Sequence, residues 1–124
     1  MNRKVLLVED DGDTLKCYSD LLVAEGYEVR TARTGEEALG ALNGYVPDLI
    51  LLDIMLPEMS GIDVIRSLSA RTNGNAIPVV IVTALDSVPN QEAIEKLPFV
   101  KRFIYKPCRP RTLLEGISHA LRQL

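Results

Sequence analysis

Cysteine is scarce in this chain: Cys17 and Cys108 are the only two in 124 residues. They have neither metal-ligand nor redox-motif spacing, and one pair gives a chain of this size no disulfide framework. A reducing cytoplasm is the expected setting. Histidine is scarcer still: His119 stands alone in the last predicted helix and reads as a surface residue. Positive charge is not in excess. Fourteen Lys and Arg against 17 Asp and Glu give a formal net charge of -3, which argues against a nucleic-acid surface within the chain. No apolar run approaches the roughly 18 residues of a membrane span. The N-terminus has no signal-peptide pattern either, because Glu9, Asp10 and Asp11 break its short apolar stretch. Repeats, low-complexity tracts and linkers are missing too. What is there is one domain over residues 1–124, 47% hydrophobic and 25% charged, long enough to bury one sizeable core.

Apolar periodicity divides the chain into alternating strands and helices. Lys4 to Val8 reads as a buried strand that closes in the acidic turn Glu9-Asp10-Asp11-Gly12-Asp13. The next segment places Cys17, Leu21 and Ala24 on one helical face with Leu22 beside them, so Cys17 reads as a small core residue and Gly26 as the C-cap. Tyr27 to Ala32 alternates apolar and charged residues, as an exposed strand near the sheet edge does. Thr34 with Glu37 fits a capping box for a second helix, which fades by Asn43-Gly44.

Leu49 to Leu52 is an uninterrupted apolar run, read as a strand buried on both faces and followed directly by Asp53. Pro57 and Gly61 turn the chain. A helix begins at about Ser60 or Gly61, with Ser60 as N-cap and Ile62, Ile65, Leu68 and Ser69 facing inward, and it ends in Asn73-Gly74-Asn75. Pro78 to Val82 is a fourth buried strand, ending at Thr83-Ala84. A short helix is expected from near Pro89 to Leu97, where Pro98 stops it. Phe99 to Tyr105 contains a fifth strand, ending at Lys106-Pro107. The last helix starts at about Pro110 and carries the stripe Leu113, Ile117, Ala120, Leu121 and Leu124. Five β-α units with right-handed crossovers predict a doubly wound three-layer α/β/α sandwich around a five-stranded parallel sheet.

In such a sheet, chemistry collects at the carboxyl ends of the strands. Polar groups stand at four of those ends: Glu9 and Asp10, Asp53, Thr83, and Lys106. Taken singly, each has a bland reading as a cap, a turn residue or a surface residue. Together they put three carboxylates on one rim, where a single pair at 4 Å costs roughly 4 kcal/mol at an effective dielectric of 20. Oxygen-only ligands of this kind suit Mg²⁺ or Mn²⁺. A carboxylate acceptor, a divalent ion, a lysine and a hydroxyl can together stabilise a phosphoryl group in transfer.

These residues also sit in four motifs: Val8-Glu9-Asp10-Asp11, Asp53-Ile54-Met55-Leu56-Pro57-Glu58-Met59-Ser60-Gly61-Ile62-Asp63, Val82-Thr83-Ala84 and Lys106-Pro107. In this order the chain resembles, over essentially all its length, a receiver domain of the two-component response regulators. The resemblance implies a flavodoxin-like sheet of order 2-1-3-4-5. It implies that Asp53 accepts a phosphoryl group from a phosphohistidine on a sensor histidine kinase or a phosphotransfer protein. Asp10 would bind Mg²⁺ directly, with Glu9 helping through water and the backbone carbonyl of Met55 adding a ligand. Thr83 would hydrogen-bond the phosphoryl oxygens and Lys106 would pair with them. Phe103 takes the place of the family's aromatic switch residue, and the Lys106–Pro107 bond would be cis.

The same resemblance implies a signalling module with only self-catalysed phosphotransfer and autodephosphorylation, not an enzyme that turns over substrates. Its fourth helix, fifth strand and last helix would address a partner, an output domain C-terminal to this chain, or a second copy in a homodimer, with no nucleic acid or membrane bound directly. Glu92, Glu95, Lys96, Lys101, Arg102, Arg111, Glu115 and Arg122 are the expected exposed contacts. Two departures stand out: the basic pair Lys101-Arg102 before Phe103, and Arg109 and Arg111 at a helix start, where they oppose the dipole. The alternatives are weaker on specific residues. A haloacid-dehalogenase-type phosphatase or phosphotransferase wants a second Asp where Met55 stands. A flavodoxin-like cofactor binder wants a phosphate loop where Glu9 and Asp10 stand. A non-phosphorylated receiver-like scaffold has no need of Asp53, Thr83 and Lys106 together.

Overall fold

A computed structural model of the protein describes residues 2–56, 59–71, 77–84 and 91–122. Its elements are β1 (Lys4–Val8), α1 (Gly12–Ala24), β2 (Glu28–Ala32), α2 (Gly35–Ala41), β3 (Leu49–Leu52), α3 (Gly61–Arg71), β4 (Val79–Ala84), α4 (Gln91–Glu95), β5 (Val100–Lys106) and α5 (Pro110–Arg122). The strands form one parallel sheet in the order β2-β1-β3-β4-β5, as the resemblance implies. Strand alternation splits the core into two layers. Leu6, Val8, Ile50, Leu52 and Ile81 face α2, α3 and α4, while Val5, Leu7, Leu51, Val82 and Ile104 face α1 and α5. All four residues of β3 are buried, each contributing about 1.5–3 kcal/mol of apolar burial. β3 is central, so the residue after it is held from both sides.

Caps and close approaches fix the helix ends. The Asp11 carboxylate accepts from the Thr14 N–H at 2.9 Å and starts α1. Gly26, at φ +94°, ends it in the left-handed region. Thr34 Oγ1 accepts from the Glu37 N–H at 3.0 Å, and Glu37 reaches back to the Arg33 N–H at 2.8 Å, one residue before the expected partner. Gly61 opens α3 against the chain leaving β3: a Cβ there would stand 2.5 Å from Ile54 Cα and 2.7 Å from the Asp53 carbonyl oxygen. Ser60 Oγ is 3.4 Å from the Asp63 N–H, a long contact for a cap.

Several inward faces differ from expectation. On α1 the buried residue is Leu22, with Leu15 and Tyr18 packed beside it, and Cys17 and Ala24 are exposed. The larger side chains at i, i+3 and i+7 take the core, and a small thiol cannot compete for it. On α3 the inward residues are Val64, Ile65 and Leu68; Ile62 is half-buried and Ser69 is exposed. His119 is half-buried rather than on the surface. The described helical turns of α4 end at Glu95, and the Leu97 N–H already bonds Ile94 oxygen in a tighter turn. Pro57, the Asn73-Gly74-Asn75 stop, Pro89 and Leu124 lie outside the described residues.

Candidate functional site

The ladder continues one residue past β1 and β3. Glu9 N–H bonds Ala32 oxygen and Asp53 N–H bonds Val8 oxygen, each at 3.0 Å, which seats both carboxylates at the sheet's carboxyl rim. Glu9 is 2% exposed and Asp53 5%. One oxygen from each of Glu9, Asp10 and Asp53 falls within 4.8 Å of the others. Lys106, at the end of β5, donates to Asp53 Oδ2 at 2.8 Å and also to Glu9 Oε1. Asp53 Oδ1 accepts the Met55 N–H at 2.9 Å, so the loop after β3 holds the carboxylate from below. Glu9 Oε2 likewise accepts the Asp11 N–H at 3.1 Å.

Burial pushes the Glu9 carboxyl up, and the neighbouring Asp53 charge adds to this; the bonds from Lys106 and the Asp11 amide do not overcome it. Burial works against the Lys106 charge, but Asp53 and Glu9 together outweigh it and hold the ammonium above its usual range. The donor set is three carboxylates with no nitrogen or sulfur, which fits a hard, oxygen-ligated divalent ion.

Thr83 is fully buried near the end of β4, and its hydroxyl has no hydrogen-bond partner among the described residues. Orphaned buried hydroxyls are uncommon and cost free energy. Phe103 is half-buried on β5 against the core layer beneath α2, α3 and α4. The structure therefore brings Glu9, Asp10, Asp53, Thr83 and Lys106 to one rim, with Met55 on the adjoining loop and Phe103 one strand over from Ile81. The Lys106–Pro107 peptide is cis.

Two residues escaped the sequence reading. Arg33 follows β2 and donates to the Asp10 carbonyl at 2.9 Å, tying the acidic loop to the sheet edge. It stands at the carboxyl end of β2, the one strand end for which the sequence pattern supplies no site residue. Tyr105 pairs in register with Thr83 and takes a hydrogen bond from Gln91 at the start of α4. Strand alternation from Phe103 was the available signal. The basic start of α5 is partly answered on its own helix, where Arg111 Nε meets Glu115 Oε1 at 2.9 Å in full solvent.

Residues 5–118 match the family model for the response regulator receiver domain. The polar-differentiation response regulator DivK of Brucella ovis is 37% identical over 121 residues, covering 98% of this chain and 98% of that protein, and that of Brucella anthropi is equally similar. Among solved structures, a CheY-like receiver domain protein from Methanospirillum hungatei superposes with a TM-score of 0.85 at 30% identity, covering 99% of this chain and 96% of that one. The chemotaxis response regulator CheY4 of Vibrio cholerae gives 0.85 at 28% identity, covering 97% and 99%. No described helix is long and apolar enough to cross a membrane. With its sheet order, its acidic rim and these relatives, the chain belongs to the response regulator receiver family, the signalling domains of two-component phosphorelays.

Proposed function

We propose that Asp53 is the phosphoacceptor of a receiver unit formed by residues 1–124, working in the cytoplasm. A carboxylate oxygen of Asp53 attacks the phosphorus of a phosphohistidine on a sensor histidine kinase or phosphotransfer protein. The oxygen–phosphorus bond forms as the phosphorus–nitrogen bond breaks, and the imidazole leaves with its electron pair. Lys106 already touches Asp53 Oδ2 at 2.8 Å and is placed to follow the new negative charge. The observation that carries this reading is the buried hydroxyl of Thr83, which has no partner among the described residues and stands at the carboxyl end of β4, the strand beside β3 and Asp53. Asp10 and Asp53, with Glu9 and the Met55 carbonyl, are the groups that would hold Mg²⁺ or Mn²⁺. Such an ion supplies charge neutralisation at the phosphoryl oxygens.

The unit turns over no small substrate beyond self-catalysed transfer and autodephosphorylation. Met55, which is 56% exposed, provides no general acid where a dehalogenase-type phosphatase needs one. Thr83 moving toward the phosphoryl group and Phe103 swinging inward would change the face of α4, β5 and α5. Glu92, Glu95, Lys96, Arg102, Arg111, Glu115 and Arg122 are exposed there and Lys101 is half-buried, open to a partner, an output domain or a second copy. The test is acetyl phosphate with and without Mg²⁺, followed by intact mass. One base-labile phosphoryl group is expected on the wild type with Mg²⁺ and none on Asp53→Asn. Equal modification of Asp53→Asn would overturn the assignment.

A further inference from the structure

Tyr105 has no role in the reading above, yet it links the two parts of the molecule that a switch must connect. It stands opposite Thr83 in the β4–β5 register, as Phe103 stands opposite Ile81. Residues two apart on a strand share a face, so Phe103 and Tyr105 both look toward the layer of α2, α3 and α4. Their ring centroids are 6.3 Å apart with the planes tilted 35°, within the range of aromatic contact. At its outer end the Tyr105 hydroxyl accepts a hydrogen bond from Gln91 Nε2, and the same amide group donates to Glu95 Oε1 at 2.8 Å. Gln91 and Glu95 are the first and last residues of α4.

Among the described residues, few other contacts hold α4. Five residues are too few for a helix to be stable by itself. Among its described residues Ile94 alone is buried; Glu92, Ala93 and Glu95 are exposed. A side-chain tie to β5 therefore adds to what the burial of Ile94 supplies. Phe103 cannot supply one, because it has no hydroxyl. On this face of β5 the hydroxyl sits at Tyr105, next to Thr83 and within reach of α4.

We propose that Tyr105 is a positioning residue of the switch: in the unmodified protein its hydroxyl latches α4 to β5 through Gln91, and the latch opens when Asp53 is phosphorylated. The inference rests on the phosphoacceptor reading. Inward movement of Phe103 takes away the ring beside Tyr105, and movement of Thr83 changes the neighbour across the ladder. A hydroxyl shifted past about 3.5 Å no longer holds its donor, and α4 loses its side-chain tie to β5 at Gln91.

Amide hydrogen exchange over residues 91–97 tests this in Tyr105→Phe, which keeps the ring, and in Gln91→Ala, which leaves β5 untouched. The reporting amides are Lys96 and Leu97, bonded to Glu92 and Ile94 oxygens at 3.3 and 3.1 Å. Without phosphodonor, both variants should exchange there roughly twofold to tenfold faster than wild type, the factor that one net hydrogen bond represents, with α5 unchanged. Acetyl phosphate with Mg²⁺ should bring wild type to the same rates and leave the variants where they are. A merely structural tyrosine would let the variants accelerate further by the wild-type factor, and unchanged exchange in the unmodified variants would show that there is no latch; either result overturns the proposal. Intact mass is read in parallel. An adduct in all three proteins with α4 indifferent to the variants removes the latch alone. No adduct in any of them removes the phosphoacceptor reading, and the switching role with it.

Discussion

Lys106 Nζ lies 2.8 Å from Asp53 Oδ2 although their strands are not neighbours, since β4 runs between β3 and β5. The lysine crosses the rim and reaches Glu9 at the end of β1 as well. One ammonium is thus shared by two buried carboxylates, with Asp10 close by. It offsets part of the repulsion that the sequence implied, and it leaves the rim still acidic.

Removing that ammonium should destabilise the metal-free protein. Breaking a buried pair costs 3–5 kcal/mol, and the Lys106 side chain is 25% exposed, so about 2–3 kcal/mol is expected for Lys106→Met. Mg²⁺ at 100 times its dissociation constant contributes about 2.7 kcal/mol. Denaturant midpoints should rise with Mg²⁺ in wild type, and rise more in Lys106→Met. A Mg²⁺ titration that matches simple salt in both proteins would exclude a metal site at these carboxylates.

Glu9 gives a pH signature. Its folded pKa lies above the ordinary 4.5, so the folded state holds its proton more tightly than the unfolded chain does. The Glu9 contribution to stability is fully present below 4.5 and is lost as pH rises through the raised folded value. The difference in stability between wild type and Glu9→Gln, followed upward from pH 4 in metal-free buffer, should move in favour of the variant. A difference that stays flat across that range would show that burial does not govern Glu9.

Thr83 should be better for the unmodified fold without its hydroxyl. An unpaired buried hydroxyl costs about 1–3 kcal/mol, and the Thr83 hydroxyl has no partner among the described residues. Thr83→Val should therefore raise the unfolding free energy by about 1–2 kcal/mol while losing the conformational response to phosphodonor, a trade of stability against function. Loss of stability in Thr83→Val, measured by urea unfolding, would mean that the hydroxyl is satisfied in the free protein.

The two tight glycines should differ in cost. At Gly61 an added Cβ meets backbone, Ile54 Cα at 2.5 Å and Asp53 oxygen at 2.7 Å. Gly61→Ala must push α3 off the loop that carries Asp53, at about 1–3 kcal/mol. At Gly116 the nearest atom is Ile104 Cδ1 at 2.8 Å, the end of a side chain that can turn away. Gly116→Ala should cost less, and should leave phosphorylation of Asp53 untouched where Gly61→Ala slows it. Equal losses for the two variants would contradict the backbone contact at Gly61.

The sheet was legible because its three inner strands, β1, β3 and β4, are short apolar runs buried on both faces, Leu49 to Leu52 most plainly. The rim was legible because strand ends fall next to those runs, which puts Glu9, Asp53, Thr83 and Lys106 together from the sequence alone. Helix faces were harder. Cys17 and Leu22 both fit a helical stripe, and only packing against the sheet decides for Leu22 with Leu15 and Tyr18. Ser69 fell to the same ambiguity. Arg33 was not legible because its role is a side-chain bond to the backbone carbonyl of Asp10 across the β1–β2 rim, which no residue pattern encodes. Tyr105 was passed over because its meaning depends on the β4–β5 register. That register shifts between Val79/Val100 and Val80/Arg102, leaving Lys101 as the extra residue, an irregularity that pattern alone does not reveal.

Borohydride reduction of the acetyl-phosphate-treated protein, read by peptide sequencing in the mass spectrometer, tests the assignment of Asp53 most directly. The reagent reduces an acyl phosphate to an alcohol, so a phosphorylated aspartate becomes homoserine. Homoserine should appear at position 53, only when Mg²⁺ and phosphodonor are both present, with Asp10 and Glu9 intact. Homoserine at another aspartate with position 53 unreduced, or none anywhere, would contradict Asp53 as the phosphoacceptor.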